Sequence, residues 1–458
     1  MLRRHRSLAL LFYLLCGIWC FSFLIYLLYP GKPMPFSMRG FYLSLGFYFF
    51  LLLTVLILRQ VFRKRSPSSQ PVWDPVIPPM VHVFFYLGIV GLLFHLYDKL
   101  FIRNYDYFSC LDIREIWLQD GARRGLKASS IASALGHLLV YCSVIPVLFL
   151  PLSRRTLLRF IVSLLVLLIY SWTLFSRSTL LLVFFMTLAS SFIQFVQSRA
   201  NLKNLLFKAL SLSLCFCFFT FATFFKKISC ADTSSIDTFA KQSLGKHSMI
   251  LSDKVSSVST IAPTDFSSED QLFDPLFTKL KLQVELPIRW FEGESRLTYL
   301  ANIVPLYATV GINNFNSVTF RNISPDYKYL FNPFILVINR AFQTELIEPS
   351  SARSLFGLGY INLSGAIYLT FGKTGLYLVP LILGGILFLF TRHLLPGNPK
   401  IYFSLPFFSL FFSFLLLSPI TNPLSLMSMP FLFFVSGLFY LASLMTGKRG
   451  KKTKISSS

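Results

Sequence analysis

Charged side chains are scarce in this sequence of 458 residues: Asp, Glu, Lys and Arg make up only 14% of it, and acidic residues number 19. Hydrophobic residues make up 54%, and the mean hydropathy is +0.62. This composition excludes a water-soluble globular domain, which carries far more charge. The net charge of +24 does not indicate a nucleic-acid partner, because most of it lies in short loops beside apolar runs, where basic residues orient membrane proteins.

Several catalytic signatures are also absent. The long polar segment of the chain has a single histidine, His247, and no Asp-x-Asp pair, so no set of metal ligands is visible. Neither a glycine-rich phosphate-binding motif nor a nucleophile elbow occurs, which disfavours nucleotide-driven and serine-hydrolase chemistry. We therefore expect neither a metal nor another cofactor.

What the sequence does contain is a series of apolar runs, each long enough to cross a hydrocarbon core of about 30 Å. They predict an all-α polytopic membrane protein with about ten transmembrane helices and both termini in the cytoplasm. The first run, after MLRRHRS, is too long for a signal-peptide core. The predicted spans cover residues 8–29, 41–58, 81–97, 128–152, 157–174, 180–195, 205–225, 376–390, 403–420 and 424–445.

One long polar interruption, residues 229–356, divides the chain. Residues 1–228 before it are predicted to form a membrane bundle of about seven spans. Residues 357–446 after it hold the C-terminal membrane helices, and residues 447–458 are a basic cytoplasmic tail. The alternation of sides makes the interruption a large periplasmic loop, and we expect its short apolar stretches to lie in the interface and to bury the loop against the bundle.

Whether the segment 357–371 crosses the membrane decides on which side the following segments lie. If it crossed the membrane, the basic segment 391–400 and the basic tail would lie outside, against the positive-inside tendency. We therefore predict that residues 357–371 form a re-entrant or interfacial helix whose backbone is buried against protein. Another polar outer segment is predicted for residues 98–127, directly after the third span.

Basic residues on the predicted outer side break the positive-inside pattern and need another explanation. Arg177 lies in a turn between two apolar helices, where a charge is costly without a partner. A guanidinium group fits a phosphate bidentately, although an arginine extending to lipid headgroups is the alternative. Lys226 and Lys227 stand at the outer end of the following span and favour an anionic ligand in the same way, while Arg340 and Arg353 flank the predicted re-entrant segment.

Two stretches of the outer segments combine charge with aromatic rings. On a helix, Asp112 and Glu115 would share a face, as would Arg114 and Trp117, and a solvated surface helix is the alternative. In the long loop, RWFEGESR surrounds aromatic rings with charged groups of the kind that bind sugars, although ordinary amphipathic helices share this composition. Its charged residues are Arg289, Glu292, Glu294 and Arg296.

The seven cysteines give a weaker signal. Five lie inside apolar runs, where cysteine acts as a small hydrophobic residue. Cys110 and Cys230 lie in polar segments, and a disulfide between them can form if the outer side of the membrane is oxidising.

Taken together, these features resemble the O-antigen polymerase family and its relatives that polymerise enterobacterial common antigen and capsule repeats. The resemblance covers most of the chain as a layout. It implies a membrane-embedded glycosyltransferase of the C type, GT-C-like, that is metal-independent. Such an enzyme joins undecaprenyl-pyrophosphate-linked oligosaccharides on the periplasmic side of the inner membrane to make surface polysaccharide such as lipopolysaccharide. The stretches that carry it are DIREIW, FSRSTLLLVFF, FFKKI, the large outer loop and GLGYINLSGAIYLTFGKTGLYLVP.

The resemblance also implies roles for residues and partners. Arg177 and Arg114 would bind the donor pyrophosphate, and the partners would be a lipid-linked oligosaccharide and the membrane, with room for a chain-length regulator. The wider set of substrate-binding residues is Arg114, Arg177, Lys226, Lys227, Arg289, Arg296, Arg340 and Arg353. The base that deprotonates the acceptor hydroxyl would be one of Asp112, Glu292 and Glu294.

Two alternatives remain open at this point. The related O-antigen ligase has a His-Asn pair at the positions of Ile361 and Asn362, so the missing histidine favours a polymerase over a ligase. A transporter or flippase for a lipid-linked saccharide is the non-enzymatic alternative. That class shows internal repeats and charged residues inside spans near the midplane, and the predicted spans show neither.

Overall fold

The structure is a computed structural model. It describes residues 2–28, 38–62, 79–104, 107, 131–149, 154–174, 177–196, 202–231, 309, 311–312, 314–316, 318–319, 325–342, 346–348, 361–393, 401–426 and 428–452.

Helices account for nearly all of these residues, and no strand occurs among them. A π-helix, Asp98–Ile102, continues α3, and a short 3-10 turn, Tyr141–Ser143, joins α4 to α5. The α-helices are α1 Leu2–Leu28, α2 Arg39–Val61, α3 Met80–Tyr97, α4 Ile131–Val140, α5 Val144–Phe149, α6 Arg154–Leu174, α7 Arg177–Val196, α8 Leu202–Ala231, α9 Asn332–Phe342, α10 Leu363–His393, α11 Ile401–Leu417 and α12 Ser428–Lys452.

Six helical segments in the described part of the chain are long and apolar enough to cross a membrane. The predicted all-α, membrane-spanning character is thereby confirmed. Helices satisfy their own backbone hydrogen bonds, which lipid cannot do for them. The six segments are Arg39–Val61, Met80–Ile102, Ala132–Phe149, Thr156–Leu174, Leu363–Phe390 and Ser428–Met445, and shorter apolar helices cover Tyr13–Leu28, Thr179–Gln194, Leu206–Phe219 and Ser404–Leu417.

The helices bury one apolar face against each other and present another outward. In α2, for example, Phe47 and Leu51 are buried, whereas Tyr42 and Phe49 are exposed. Lipid tails are as apolar as leucine, so an outward phenylalanine is compatible with a membrane environment. Close approach between helices then requires small residues or specific hydrogen bonds.

The pair formed by α3 and α4 shows such close approach. A methyl group on Gly91 would overlap the backbone of Val140, and one on Gly136 would come within 2.6 Å of the backbone nitrogen of His95. As the residue number increases along α3, the number of the contacting residue decreases along α4, so the two helices are antiparallel. This tight packing brings His95, near the end of α3, against the beginning of α4.

Long-range hydrogen bonds join the first helices to the last. The indole nitrogen of Trp19 in α1 donates to the carbonyl oxygen of Leu415 in α11 at 2.8 Å. The side-chain amide nitrogen of Asn362, directly before α10, donates to the hydroxyl of Ser44 in α2 at 3.0 Å. The two chain ends therefore share one bundle.

Helices α2 and α10 run parallel over much of their length. The rings of Phe50 and Tyr377 lie 5.8 Å apart, and those of Phe62 and Phe388 lie 5.7 Å apart. The two contacts are separated by nearly the same number of residues in both helices, as expected for straight helices of equal rise. The part of α10 after residue 372 therefore follows α2.

The first part of α10 does not follow α2. The hydroxyl groups of Ser44 in α2 and Ser364 in α10 lie 2.7 Å apart. From this contact to the contact of Phe50 with Tyr377, the chain advances by six residues in α2 but by thirteen in α10. At 1.5 Å per residue, these stretches would measure about 9 Å and about 20 Å. The difference is explained by a break at Gly372, whose φ is 65° and ψ is −157°.

Residues 361–370, before the break, are all buried. The backbone nitrogen of Asp326 donates to the carbonyl oxygen of Leu369, which would otherwise accept a helical hydrogen bond. The sequence predicted two elements here, and the structure has two helical stretches that meet at the break at Gly372. Residues 357–360 lie outside the described part, and the re-entrant or interfacial placement of 357–371 stays a prediction.

Replacing Gly372 with alanine is expected to lower the free energy of unfolding by about 1–3 kcal/mol, because side chains rarely adopt its backbone conformation. The apparent melting temperature of the detergent-purified protein measures this. Gly385 in the same helix has open space around it, and Gly385→Ala should be neutral or stabilising by up to about 1 kcal/mol. Equal shifts for both variants would contradict the break.

Candidate functional site

The structure describes only the backbone at four of the predicted site residues. Arg177 is the first residue of α7, and Arg340 lies in α9. Lys226 and Lys227 lie within the last two turns of α8, which continues to Ala231 instead of ending before them. The others lie outside the described residues: Asp112, Arg114, Arg289, Glu292, Glu294, Arg296 and Arg353.

The described side chains reveal a different concentration of charge, at the end of α3. Asp98 and Lys99 are fully buried, and Arg103 is nearly so. A carboxylate oxygen of Asp98 lies 3.0 Å from Nε of Arg103 and 3.4 Å from Nζ of Lys99. The prediction that Asp98 begins a polar outer segment is therefore wrong.

The physical reason lies in the π-helix Asp98–Ile102. It extends α3 beyond Tyr97, where the predicted span ends, so Asp98 and Lys99 remain within the packed bundle. A fall in local hydropathy marks where charge begins, but it cannot show that the helix continues. Single π turns occur frequently at functional sites.

His95, one turn before Asp98, is also fully buried. Its Nε2 lies 2.7 Å from the hydroxyl oxygen of Thr173, and that hydroxyl donates to the carbonyl oxygen of Tyr170 at 2.8 Å. The Thr173 hydroxyl can donate either to Nε2 of His95 or to Tyr170; when it donates to Tyr170, Nε2 of His95 is the donor in their contact. The neutral imidazole then carries its lone pair on Nδ1, which has no hydrogen-bond partner within the described part of the protein.

A second histidine packs against the first. The rings of His95 and His137 are 5.1 Å apart, and the ring of Tyr170 lies 4.8 Å from that of His95. Nδ1 of His137 lies 2.8 Å from the hydroxyl oxygen of Tyr170. Together they form the histidine-charge cluster, which consists of His95, Asp98, Lys99, Arg103, His137, Tyr170 and Thr173.

The beginning of α7 lies at the same end of the bundle. Tyr141 packs against Tyr170 with ring centroids 5.4 Å apart, and its hydroxyl lies 3.5 Å from that of Thr179. Thr179 follows Arg177 by two residues, so the backbone of Arg177 lies near the cluster. The hydroxyl of Tyr107 donates to the carbonyl oxygen of Thr173 at 3.4 Å, so Tyr107 lies at this end as well.

This arrangement suits the recognition of an anion. The start of a helix carries partial positive charge and unpaired N–H groups, and α7 begins there with an arginine. Ionisable residues inside a membrane protein mark functional sites by default. The signal in the sequence was the stretch HLYDKLFIR, which places a histidine and three charged residues at the end of a span.

Buried charge also occurs at the opposite end of the bundle. Nη1 of Arg159 in α6 lies 2.8 Å from Nδ1 of His82 in α3. Lys208 in α8 is only 3% exposed, and its Nζ lies 5.9 Å from the ring centroid of Phe160. Lys208 lies near the start of the predicted span 205–225, so this charge is buried close to one end of the bundle and not at its middle.

Asn362, at the position that a ligase would share, is engaged in packing. Its amide nitrogen donates to the hydroxyl of Ser44 at 3.0 Å, and its amide oxygen accepts from the backbone nitrogen of Gly365 at 2.9 Å. It thus caps the beginning of α10. Both ends of the amide are occupied, which gives this residue a structural explanation.

Among the residues that the structure describes, no three His, Cys, Asp or Glu side chains converge as metal ligands. Of the cysteines, Cys142 is buried, while Cys20 and Cys217 are exposed on the helix surface. The pairing of Cys110 with Cys230 falls on side chains outside this part of the chain. No family model, curated protein or solved structure matches the sequence.

Proposed function

We propose that the protein is a glycosyltransferase of the bacterial inner membrane that polymerises undecaprenyl-pyrophosphate-linked oligosaccharide repeat units into surface polysaccharide on the periplasmic side. The resemblance of the sequence to O-antigen polymerases supports this function. The structural observation that carries it is the position of Arg177, which opens α7 at the end of the bundle that holds buried Asp98, Lys99 and Arg103.

The proposed topology has ten spans in a GT-C-like arrangement, formed by the six long apolar segments and the four shorter ones. Helix directions support it. α3 runs antiparallel to α4, while contacts of His82 with Arg159 and of His95 with Thr173 make α3 and α6 parallel. In the proposed topology, which has a cytoplasmic N-terminus, the histidine-charge cluster and the large loop lie on the periplasmic side.

In the proposed reaction, an acceptor hydroxyl oxygen bonds to C1 of the donor sugar. The bond between C1 and the pyrophosphate oxygen breaks, and undecaprenyl pyrophosphate leaves with the electron pair. Stabilising that negative charge is the main catalytic contribution expected. Arg177 and Arg114 bind the pyrophosphate in this proposal, and Lys99 and Arg103 add positive charge from the interior. The base proposed from the sequence is one of Asp112, Glu292 and Glu294.

Transport of a lipid-linked saccharide is the second candidate function. Two observations favour it: charged residues are buried inside the bundle, and α10 is interrupted at Gly372. Discontinuous helices beside buried ionisable groups are typical of transporters. The outer position of the cluster and the large aromatic loop favour the polymerase.

The distribution of surface polysaccharide lengths distinguishes these functions. In cells that lack the protein, we expect the polysaccharide on a gel to collapse to acceptors carrying a single repeat unit, and the wild-type gene should restore long chains. Long lipid-linked chains with no acceptor-linked glycan would indicate a ligase. Single lipid-linked units confined to the cytoplasmic leaflet would indicate a flippase, and an unchanged ladder would contradict all three.

A further inference from the structure

We propose that His95 is the base that accepts the proton of the acceptor hydroxyl. This inference rests on the proposed polymerase function and replaces the acidic residues expected from the sequence in that role. It assigns chemistry to a buried group that neither packing nor a described hydrogen bond explains, the Nδ1 atom of the imidazole.

The tautomer of His95 provides the first argument. With the Thr173 hydroxyl donating to the carbonyl oxygen of Tyr170, Nε2 of His95 carries the proton and the lone pair is on Nδ1. A buried polar atom without a partner is costly and calls for an explanation. A fixed tautomer with a free lone pair is what a general base requires, and histidine is the side chain that most often acts as one.

The surrounding charges provide the second argument. Asp98 would stabilise the imidazolium that forms, whereas Lys99 and Arg103 would oppose it, and His137 and Tyr170 face the ring from α4 and α6. A donor pyrophosphate bound to the cations offsets their charge. Proton transfer to His95 is therefore favoured when the donor is in place.

Access comes from the end of the bundle where α7 begins. His95 is fully buried in this structure, so the acceptor must displace what covers it. Tyr107 contacts the carbonyl of Thr173 at the edge of the cluster and is only half-buried. In the reaction, the hydroxyl proton moves to Nδ1 as the oxygen bonds to C1, and the imidazolium later releases the proton to water after undecaprenyl pyrophosphate has left.

The test uses membrane vesicles containing the full-length protein, with lipid-linked repeat units extracted from the deletion strain as substrate. His95→Gln keeps an N–H that can bond Thr173 but removes the basic atom. We expect its polymerisation rate to fall by about 10²–10⁴-fold at an unchanged protein level. A solvent deuterium isotope effect on the wild-type rate, from the proton that moves to Nδ1, should be absent from the residual activity of the variant.

Thr173→Val is the matched control, because it removes the contact of His95 without removing the imidazole. It should keep the solvent isotope effect and lose far less activity than His95→Gln. Equal losses in the two variants, with the isotope effect retained in both, would make His95 a structural residue and overturn the inference. If wild-type vesicles elongate no chains at all, the polymerase function fails first.

Discussion

Replacing Asp98 with asparagine is expected to lower the free energy of unfolding by about 3–5 kcal/mol, the usual cost of removing one partner from a buried ion pair. Asp98 carries the described ion pairs of both Lys99 and Arg103, and none of the three is more than 7% exposed. The variant loses the carboxylate between two positive charges and keeps its shape. Its apparent melting temperature in detergent should fall by several degrees.

The controls for Asp98→Asn use a surface pair and a second substitution. Lys328 and Glu348 lie 3.5 Å apart, but Glu348 is 83% exposed, so Glu348→Gln should change stability by less than about 1 kcal/mol. Adding Lys99→Met to Asp98→Asn removes one of the two cations and should restore part of the loss. Equal, small shifts for Asp98→Asn and Glu348→Gln would mean that the ion pairs contribute nothing to stability.

Replacing Arg177 with alanine is expected to reduce the polymerisation rate by about 10²–10³-fold, the usual cost of removing one donor that stabilises charge in the transition state. Arg177→Lys keeps the charge but loses the planar fork of donors, so it should have intermediate activity. The length of surface polysaccharide in the complemented deletion strain reports both effects, with the amount of protein in the membrane measured in parallel.

Arg59→Ala is the matched control for Arg177. Arg59 is an exposed arginine in the last turn of α2, so its loss removes the same side chain from another part of the bundle. Polysaccharide of wild-type length is expected for this variant. If Arg177→Ala also gave wild-type lengths at a normal membrane level, Arg177 would have no role in binding the donor.

The positions of the helices could be predicted from the sequence because the bilayer imposes them. A span needs about twenty apolar residues, and each predicted run overlaps helical residues of the structure. Arg177, predicted in the turn between two helices, is the first residue of α7. The break in α10 is harder to predict from the sequence. The sequence shows Gly372, but the left-handed conformation at this residue depends on the packing around it.

The histidine-charge cluster could not be predicted in this way. His95 and His137 are far apart in the sequence and meet because glycines let α3 and α4 pack closely. Hydropathy identifies spans but carries no information about which faces meet or at what register. Asp98 appeared to begin a loop for the same reason, since only the π-helix and its neighbours keep its side chain inside.

The hydrogen bonds between the first and last helices impose an order on biogenesis. The indole nitrogen of Trp19 is bonded to the carbonyl oxygen of Leu415, which is synthesised 396 residues later. Ser44 in α2 is likewise bonded to the side chain of Asn362, directly before α10. During synthesis α1 therefore enters the membrane without its final neighbour, and the tertiary structure closes only after α11 has left the ribosome.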